Sequence, residues 1–330
     1  DGGKVLSVGV SQKGDYLAFY SSDHVLRLIS LPALKTISKI PIQHTGIPIV
    51  CFTAGGSHVV LAFKNGDINF YAVPMLKLQD SVKGSGVAIT SIAFPEGDIL
   101  HFATGYENGE IKIWSTISDM SIYSINTNSG PTTLLEYSPK GAFLLSVGND
   151  NMIKFWDAQK GVRLEINRKD EQGNVKKVRM ECPIPTTPDF FSFASDKSYV
   201  MLGNKDGTVR FMKISNCEET DAFNLNISDI NSMNLIDNNR YVLVGTNEGN
   251  VSVFRNPFLV NAYNFLVKKG DEAMAQKSYE GAIFLYSKAL GFYSEKDTEK
   301  KLKQAKDKWD EQREEQYKEI QKLREQYNNQ

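Results

Sequence analysis

The feature that most constrains this chain is a short pattern that occurs six times. In NDNMIKFWDAQKG, residues 149–161, an acid at a turn is followed by residues that alternate between apolar and polar up to an aromatic side chain. The same frame starts at six acids or amides: Asp23, Asn65, Asn108, Asp150, Asp206 and Glu248. These positions are separated by 42, 43, 42, 56 and 42 residues. Such alternation after an acid or amide predicts a half-buried strand that follows a tight turn.

A second apolar strand precedes each of these turns, so that each unit contains three or four short strands. A period of about 40–45 residues with four strands per unit indicates a β-propeller. ATGYENGEIKIWS (103–115) and LSVGNDNMIKFWD (145–157) resemble the WD-repeat family, and the resemblance covers about residues 4–258. We therefore expect a mainly β fold, a propeller of the WD-repeat type, with a C-terminal α-helical extension. Six blades are visible, and they form either a six-bladed ring or part of a seven-bladed one.

The units depart from the family pattern in two ways. Trp156-Asp157 is the one Trp-Asp pair that ends a predicted strand, and no unit contains the Gly-His pair. The resemblance implies a hydrogen-bond network of Asp, His, Ser and Trp side chains. Because the Gly-His pair is absent, we expect this network to be missing and the blades to depend on packing. The six acids and amides are interpreted as turn residues, because such side chains cap tight turns.

The 56-residue step contains an insertion that falls within residues 168–190, between the predicted outer strand VRLEIN and the predicted inner strand FFSFAS. In the WD-repeat family this connection lies on the face that carries the turn of Asp150, a face that commonly receives partners. The insertion is basic and then proline-rich, which predicts a partner-binding loop, the alternative being a variable surface loop. The candidate partner-binding residues of this face are Lys64, Asn149, Lys176, Lys177, Arg179 and Lys205.

Residues 255–290 have helical periodicity. The segment GDEAMAQKSYEGAIFLYSKAL resembles one tetratricopeptide unit, with helix A at about 262–275 and helix B at about 278–291. Small residues at positions such as Gly270 and Ala282 would let the two helices approach closely, with Tyr286 filling the space between them. The alternative is a generic helical hairpin. The predicted domains are a propeller at 1–258, a tetratricopeptide-like hairpin at 259–293 and a long charged helix at 294–330.

The long charged helix contains no Gly or Pro after residue 294, and residues 295–330 hold ten Lys or Arg and ten Asp or Glu. Many of these charges are spaced to pair at i,i+4. Apolar positions are sparse and their heptad breaks between residues 309 and 317, so we expect a solvated helix with a short apolar stripe rather than a sustained coiled coil. Trp309 is a further candidate for partner contact.

Composition excludes several classes of function. The net charge of -1 gives no electrostatic basis for binding nucleic acid, and no apolar run is long enough for insertion into a membrane. Three widely spaced cysteines, Cys51, Cys182 and Cys217, predict no disulfide and a reducing compartment, hence a cytoplasmic location. The family resemblance implies a cilium or the cytoskeleton as specific settings. The four histidines have no metal-ligand spacing, and no cofactor motif is present.

No nucleophile elbow, phosphate loop or catalytic carboxylate pair occurs in the sequence, so we expect no enzymatic activity. The resemblance implies a scaffold that binds other proteins in a large assembly of the ciliary, intraflagellar-transport, cytoskeletal or vesicle-coat type. The alternative is an adaptor that reads peptide motifs, such as a substrate receptor of a ubiquitin ligase, or the sensor propeller of a larger signalling protein. The sequence leaves the oligomeric state open.

Overall fold

The structure is a computed structural model, and it describes residues 3–31, 33–44, 46–97, 101–116, 121–169, 174–196, 198–220 and 222–328. The predicted fold class is confirmed, because six antiparallel β-propeller blades precede three α-helices. The chain divides into two compact units. The first contains residues 1–204 and 209–221, and the second contains residues 205–208 and 222–330. The proposed boundary at residue 258 stays a prediction, since the last blade and the helices share one compact unit.

Blades one to three each consist of four consecutive antiparallel strands. Blade one contains β1 (Val5–Val10), β2 (Tyr16–Ser21), β3 (Val25–Ser30) and β4 (Lys35–Pro41). Blade two contains β5 (Ile49–Phe52), β6 (His58–Ala62), β7 (Ile68–Ala72) and β8 (Lys77–Val82). Blade three contains β9 (Ile89–Ala93), β10 (His101–Tyr106), β11 (Glu110–Ser115) and β12 (Ser121–Asn126).

Successive side chains on the second strand of a blade enter different cores. In β6, Val59 and Leu61 pack against blade one, whereas Val60 and Ala62 pack against blade three. All four side chains are buried, because both faces of the strand are covered. This double burial explains why the second strands read as continuous apolar runs while the third strands alternate.

Blade four has an outer strand in two pieces. It contains β13 (Thr132–Tyr137), β14 (Phe143–Gly148), β15 (Met152–Asp157) and β16 (Val162–Arg163), after which the chain leaves the sheet. The strands β17 (Glu165–Lys169) and β18 (Val175–Arg179) pair as a hairpin, and β19 (Glu181–Pro183) then returns to pair with β15. The prediction of a loop after a complete outer strand is therefore wrong: the insertion is a hairpin placed inside that strand.

Side-chain hydrogen bonds reinforce blades three and four. The Trp114 indole N–H donates to the Thr104 hydroxyl at 2.7 Å, and the Trp156 indole N–H donates to the Ser146 hydroxyl at 2.9 Å. The expectation that the family network would be missing is therefore wrong for its Trp–hydroxyl part. A buried indole N–H requires an acceptor, and the hydroxyl on the neighbouring strand supplies it without any histidine.

Cys182 and Cys217 form a disulfide, which corrects the expectation that the cysteines are unpaired. Cys182 lies in β19 and is buried, and its partner lies 35 residues further along the chain. Pairing of β19 with β15 brings Cys182 to the core that blade four shares with blade five, where Cys217 also packs. The argument from unpaired cysteines for a reducing compartment does not hold for this pair; Cys51 is free.

The remaining strands complete blades five and six. Blade five contains β20 (Phe190–Phe193), β21 (Tyr199–Gly203) and β22 (Thr208–Lys213), and the short strand β23 (Phe223–Asn224) belongs to the second unit. Blade six contains β24 (Ile230–Ile236), β25 (Tyr241–Thr246) and β26 (Val251–Arg255). Within the described residues, blade six has three strands in the order β24-β25-β26.

The helices are α1 (Pro257–Ala275), α2 (Tyr279–Phe292) and α3 (Lys296–Asn328). Asn256 caps α1 by accepting a hydrogen bond from the Phe258 N–H at 3.0 Å, and Pro257 occupies the first helical position. Helices α1 and α2 approach closely at Gly270, where an added Cβ would overlap the Tyr286 ring. The ring is buried and its hydroxyl donates to Asp271 at 2.7 Å.

Candidate interaction surface around blade four

Four of the six repeated turn residues hold their own turns. Each side-chain oxygen accepts a hydrogen bond from the backbone N–H two residues later, at 2.8–3.3 Å, as in an Asx turn. These four residues are Asp23, Asn65, Asn108 and Asp206. Glu248 instead accepts a hydrogen bond from the Asn250 side chain at 3.2 Å. These bonds stabilise the turns locally, and the side chains of these residues find their hydrogen-bond partners within their own turns.

Asp150 forms an ion pair that continues into the blade. Its carboxylate contacts the ammonium group of Lys154, which is 7% exposed. The same ammonium group donates to the Thr127 carbonyl at 3.0 Å and to the Ser129 hydroxyl. A buried lysine must be paired and hydrogen-bonded to remain charged, and these three partners meet that need. Lys154 therefore joins the turn of blade four to the loop that enters it from blade three.

The polar position four residues after the repeated turn residue pairs with an acid in several blades. In blade one Arg27 pairs with Asp23, and this contact holds the pKa of the Asp23 carboxyl well below its usual range. Arg210 lies 3.3 Å from Glu219 in the first unit. The cations of this series therefore neutralise acids of the same blade, and the cations available to a partner lie elsewhere.

The inserted hairpin β17–β18 supplies such cations. Ile166 and Val178 lie opposite each other and are half-buried, and Ile166 packs against the core shared by blades four and five. Lys177 and Arg179 alternate with Val178 and are exposed. Neither of these two cationic side chains forms a hydrogen bond or ion pair with the described part of the chain. One face of the hairpin is thus anchored, and the other presents unpaired positive charge to solvent.

A cavity of about 450 Å³ lies beside this hairpin, between the end of blade three and the outer edge of blade four. Arg163 lines it, with its guanidinium 4.7 Å from the centre of the Trp156 ring and in an ion pair with Glu181. The Arg163 Nε is buried and has no hydrogen-bond partner among the described residues. The other polar side chains that line the cavity are those of Asn126, Thr127, Asn128, Asp150, Lys154, Arg179 and Glu181.

The candidate residues predicted from sequence are dispersed. Arg179 lines the cavity. Asn149 is exposed and precedes the lining residue Asp150 in the chain, and its N–H donates to the Ser129 carbonyl at 2.9 Å. Lys176 and Lys177 lie on the hairpin outside the cavity lining, and Lys64 is exposed at the β6–β7 turn. The two remaining candidates belong to the second unit, where Lys205 is exposed and Trp309 is half-buried in α3.

The sequence pattern did not indicate Asn126, Asn128, Arg163 or Glu181. None of them belongs to a recognisable motif. Arg163 and Glu181 lie in β16 and β19, the two pieces of the interrupted outer strand, and Asn126 and Asn128 line the same cavity from the end of blade three. The one local signal for two of them is the polar run NTNS, which begins with Asn126 at the end of β12.

A second cavity, of about 280 Å³, lies between blades two and three and has an apolar floor that includes Phe70 and Phe102. At its rim the Ser57 hydroxyl is 2.9 Å from His58 Nδ1, and His58 Nε2 is 2.9 Å from the Gln79 side-chain oxygen. The group that orients this histidine is a neutral amide rather than a carboxylate. The chain of bonds therefore lacks the negative charge that stabilises an imidazolium in a Ser-His-Asp arrangement.

No group of three His, Cys, Asp or Glu side chains placed to hold a metal ion occurs among the described residues. No helix within them is both long and apolar enough to cross a bilayer.

Comparison with known proteins identifies one family model and several partial relatives. The model described as "WD domain, G-beta repeat" matches residues 120–157, which include the Trp156-Asp157 pair. The chain is 23% identical over 175 residues to a probable coatomer subunit beta' of Schizosaccharomyces pombe, covering 52% of the chain and 20% of that protein.

Two further relatives also match in part. The chain is 25% identical over 229 residues to pre-mRNA-processing factor 19 of Oryza sativa subsp. japonica, covering 65% of the chain and 40% of that protein. It is 27% identical over 113 residues to the GATOR2 complex protein WDR24 of Homo sapiens, covering 33% of the chain and 14% of that protein. The chain thus spans two fifths or less of the length of these three relatives.

Proposed function

We propose that this protein is a non-catalytic scaffold that binds other proteins within a multiprotein assembly. The observation that carries the proposal is the inserted hairpin β17–β18, which is anchored on one face and presents unpaired cations on the other. A rigid element that projects from a propeller blade offers a partner a surface at little cost in ordering. The names of two relatives, a coatomer subunit and a GATOR2 complex protein, denote members of complexes and support the same kind of role.

The helices provide a second surface in this proposal. The close approach of α1 and α2 at Gly270 and Tyr286 supports a tetratricopeptide-like hairpin, and a single such unit buries little core without a neighbour. Along α3, three apolar side chains are exposed at helical spacing: Tyr317, Ile320 and Leu323. We infer that the helical region contacts further protein, and Trp309 stays a candidate for that contact.

The type of assembly is a finer part of the proposal. A vesicle-coat setting has the support of the coatomer relative, whereas the ciliary, intraflagellar-transport and cytoskeletal settings stay predictions from the sequence. A cytoplasmic location, the absence of nucleic-acid binding and the absence of membrane insertion are also predictions.

The test is affinity purification of the tagged full chain, with cross-linking and mass spectrometry of the proteins that co-purify. The Met180 N–H donates to the Leu164 carbonyl at 2.7 Å, so residues 165–179 can be replaced by a short Gly-Ser linker that leaves the outer strand of blade four in place. The expected result is a fixed set of stoichiometric partners, at least one of which is lost from the hairpin deletion. The matched control replaces residues 170–173 alone, between β17 and β18, and should keep all partners.

A monomer with no stoichiometric partner, or a partner set that is unchanged by both the hairpin deletion and a truncation after residue 294, would contradict the scaffold role. Micromolar binding of short peptides without a stable complex would favour the alternative, an adaptor that reads peptide motifs. The cavity beside the hairpin is the specific observation that favours this alternative. If the peptide binds instead at the turns that carry Lys64 and Lys205, Lys64→Glu or Lys205→Glu should abolish the binding.

A further inference from the structure

We propose that the cavity between blades three and four binds an oxyanion carried by a side chain of a partner protein, either a carboxylate or a phosphoryl group. This inference rests on the proposed function and adds the chemistry of the partner that would be recognised. The residues that carry it are Arg179, Arg163 and the amides of Asn126 and Asn128.

The charges that line the cavity favour an anion. Lys154, Arg163 and Arg179 contribute positive charge, whereas Asp150 and Glu181 contribute negative charge, so one positive charge is in excess. Both acids are already in ion pairs, Asp150 with Lys154 and Glu181 with Arg163. Arg179 has no acidic partner among the described residues. A cationic ligand would meet this excess positive charge and would find no unpaired carboxylate in the described lining.

The hydrogen-bond donors that remain point to the same class of ligand. The buried Nε of Arg163 has no acceptor among the described residues, and an unsatisfied buried donor carries a free-energy cost that a ligand oxygen would remove. Arg179 offers a guanidinium fork, which matches a carboxylate or a phosphate with two parallel bonds. The Asn126 side-chain oxygen accepts the Asn128 N–H at 3.0 Å, so its amide NH₂ remains as a further donor.

The lining is fixed before any ligand arrives. The Lys154 ammonium is held by the Thr127 carbonyl at 3.0 Å and by the Ser129 hydroxyl. Arg163 is held between the Trp156 ring and Glu181, which precedes the disulfide-bonded Cys182 in the chain. Binding of an anion would therefore cost little conformational entropy, because only the exposed Arg179 side chain has to be ordered.

The dimensions and the net charge argue for one side chain rather than a polyanion. A volume of about 450 Å³ accommodates a single side chain with its neighbouring backbone. Nucleic acid presents a row of phosphates, and its binding requires several unpaired cations in a line. The described lining of the cavity contains one unpaired cation, Arg179. We therefore assign the ligand to a protein segment, acidic or phosphorylated.

The experiment is a titration of the full chain, followed through the arginine Nε–Hε signals by NMR at constant ionic strength. The probes are N-acetyl-glutamate amide in one arm and N-acetyl-O-phosphoserine amide in the other. The expected result is a saturable shift of the Arg163 and Arg179 signals with at least one probe. Saturation with phosphoserine alone assigns a phosphorylated segment, and saturation with glutamate assigns an acidic one.

Three variants test the assignment. R179Q should weaken binding roughly tenfold or more, because the ligand loses the unpaired guanidinium. R179K keeps the charge without the fork, so an intermediate affinity is expected. K177Q is the matched control, since Lys177 is exposed two residues away on the same strand but does not line the cavity, and its affinity should stay within about twofold of the original.

Saturation with neither probe, or equal weakening by R179Q and K177Q, would overturn the anion site. Its failure is separable from failure of the scaffold role. The hairpin deletion could release a partner while R179Q keeps that partner and the original affinity for both probes. That outcome would support the scaffold role and contradict the anion site.

Discussion

In blade four, Trp156 is buried and its indole is bonded to Ser146, whereas in blade six the equivalent residue of the repeat, Phe254, is half-buried and has no polar group. On the same strand as Phe254, Val251 is 72% and Val253 57% exposed, while the corresponding Ile153 and Phe155 of blade four are buried. The two strands share one sequence frame. They differ in what covers them and in the hydrogen bond that joins them to the next strand.

This difference shows that the repeat specifies a strand but not how strongly that strand is held. Burial on both faces, an indole–hydroxyl bond and a disulfide support blade four within the first compact unit. Blade six belongs to the second unit, together with the helices. We therefore expect the two units to respond separately to substitution, and the following predictions test that expectation.

The largest effect is expected at the aromatic position of the repeat. Trp156→Ala should lower the stability of blade four by about 3–5 kcal/mol, and Phe254→Ala should lower that of blade six by about 1–2 kcal/mol, because less apolar area is buried there. Hydrogen exchange of peptides from each blade measures the local free energy of opening. Trp156→Phe, which keeps most of the apolar area, should cost about 1 kcal/mol. Equal losses at residues 156 and 254 would remove the contrast between the blades.

Loss of the disulfide should be next in size. The double substitution Cys182→Ser and Cys217→Ser should lower the stability of the first unit by about 2–4 kcal/mol, since the bond closes a loop of 35 residues. Denaturant unfolding, with hydrogen exchange to locate the change, measures the effect. Cys51→Ala is the control, because burial raises the pKa of the Cys51 thiol to about 12 and keeps it out of thiol exchange. An equal loss in the helices would show that the units are coupled.

Within the second unit, Gly270→Ala should lower stability by about 1–3 kcal/mol, because the added methyl group overlaps the Tyr286 ring. Gly291→Ala is the matched control in α2, where an added Cβ meets no atom within 4 Å. There the gain in helix propensity should raise stability by up to about 1 kcal/mol. Thermal unfolding followed by circular dichroism of the helical signal measures both. A change in stability of the same sign for both substitutions would mean that the helices do not pack as described.

The last effect depends on pH. Burial of the Glu136 carboxyl raises its pKa from 4.5 to about 8, although it accepts the Phe193 N–H at 3.4 Å. Between these two values the folded protein keeps a proton that the unfolded chain has released, so the free energy of unfolding falls as pH rises and levels off above about pH 8. Glu136→Gln should flatten this slope and raise the melting temperature at pH 8 by several degrees. An unchanged slope in melting curves recorded from pH 5 to 9 would show that another group causes it.

The strand frame, the mainly β fold and the helical C-terminal region could be predicted from the sequence because each follows from local periodicity. The helices α1 and α2 lie at Pro257–Ala275 and Tyr279–Phe292, compared with the predicted 262–275 and 278–291. Part of the candidate site was predicted, because the sequence analysis named Arg179 and the insertion that contains it. Arg163, Asn126 and Asn128 were missed because no local pattern distinguishes them from other surface residues.

The sequence by itself determined where strands and helices form, since the period of apolar residues must match the period of side chains on each element. Only the tertiary structure decided that the outer strand of blade four is split around a hairpin. It also decided that Cys182 meets Cys217, and that Lys154 and Arg163 line one cavity. Those outcomes depend on strand register and on the packing of successive blades, which bring together residues far apart in the chain and leave no local signal in the sequence.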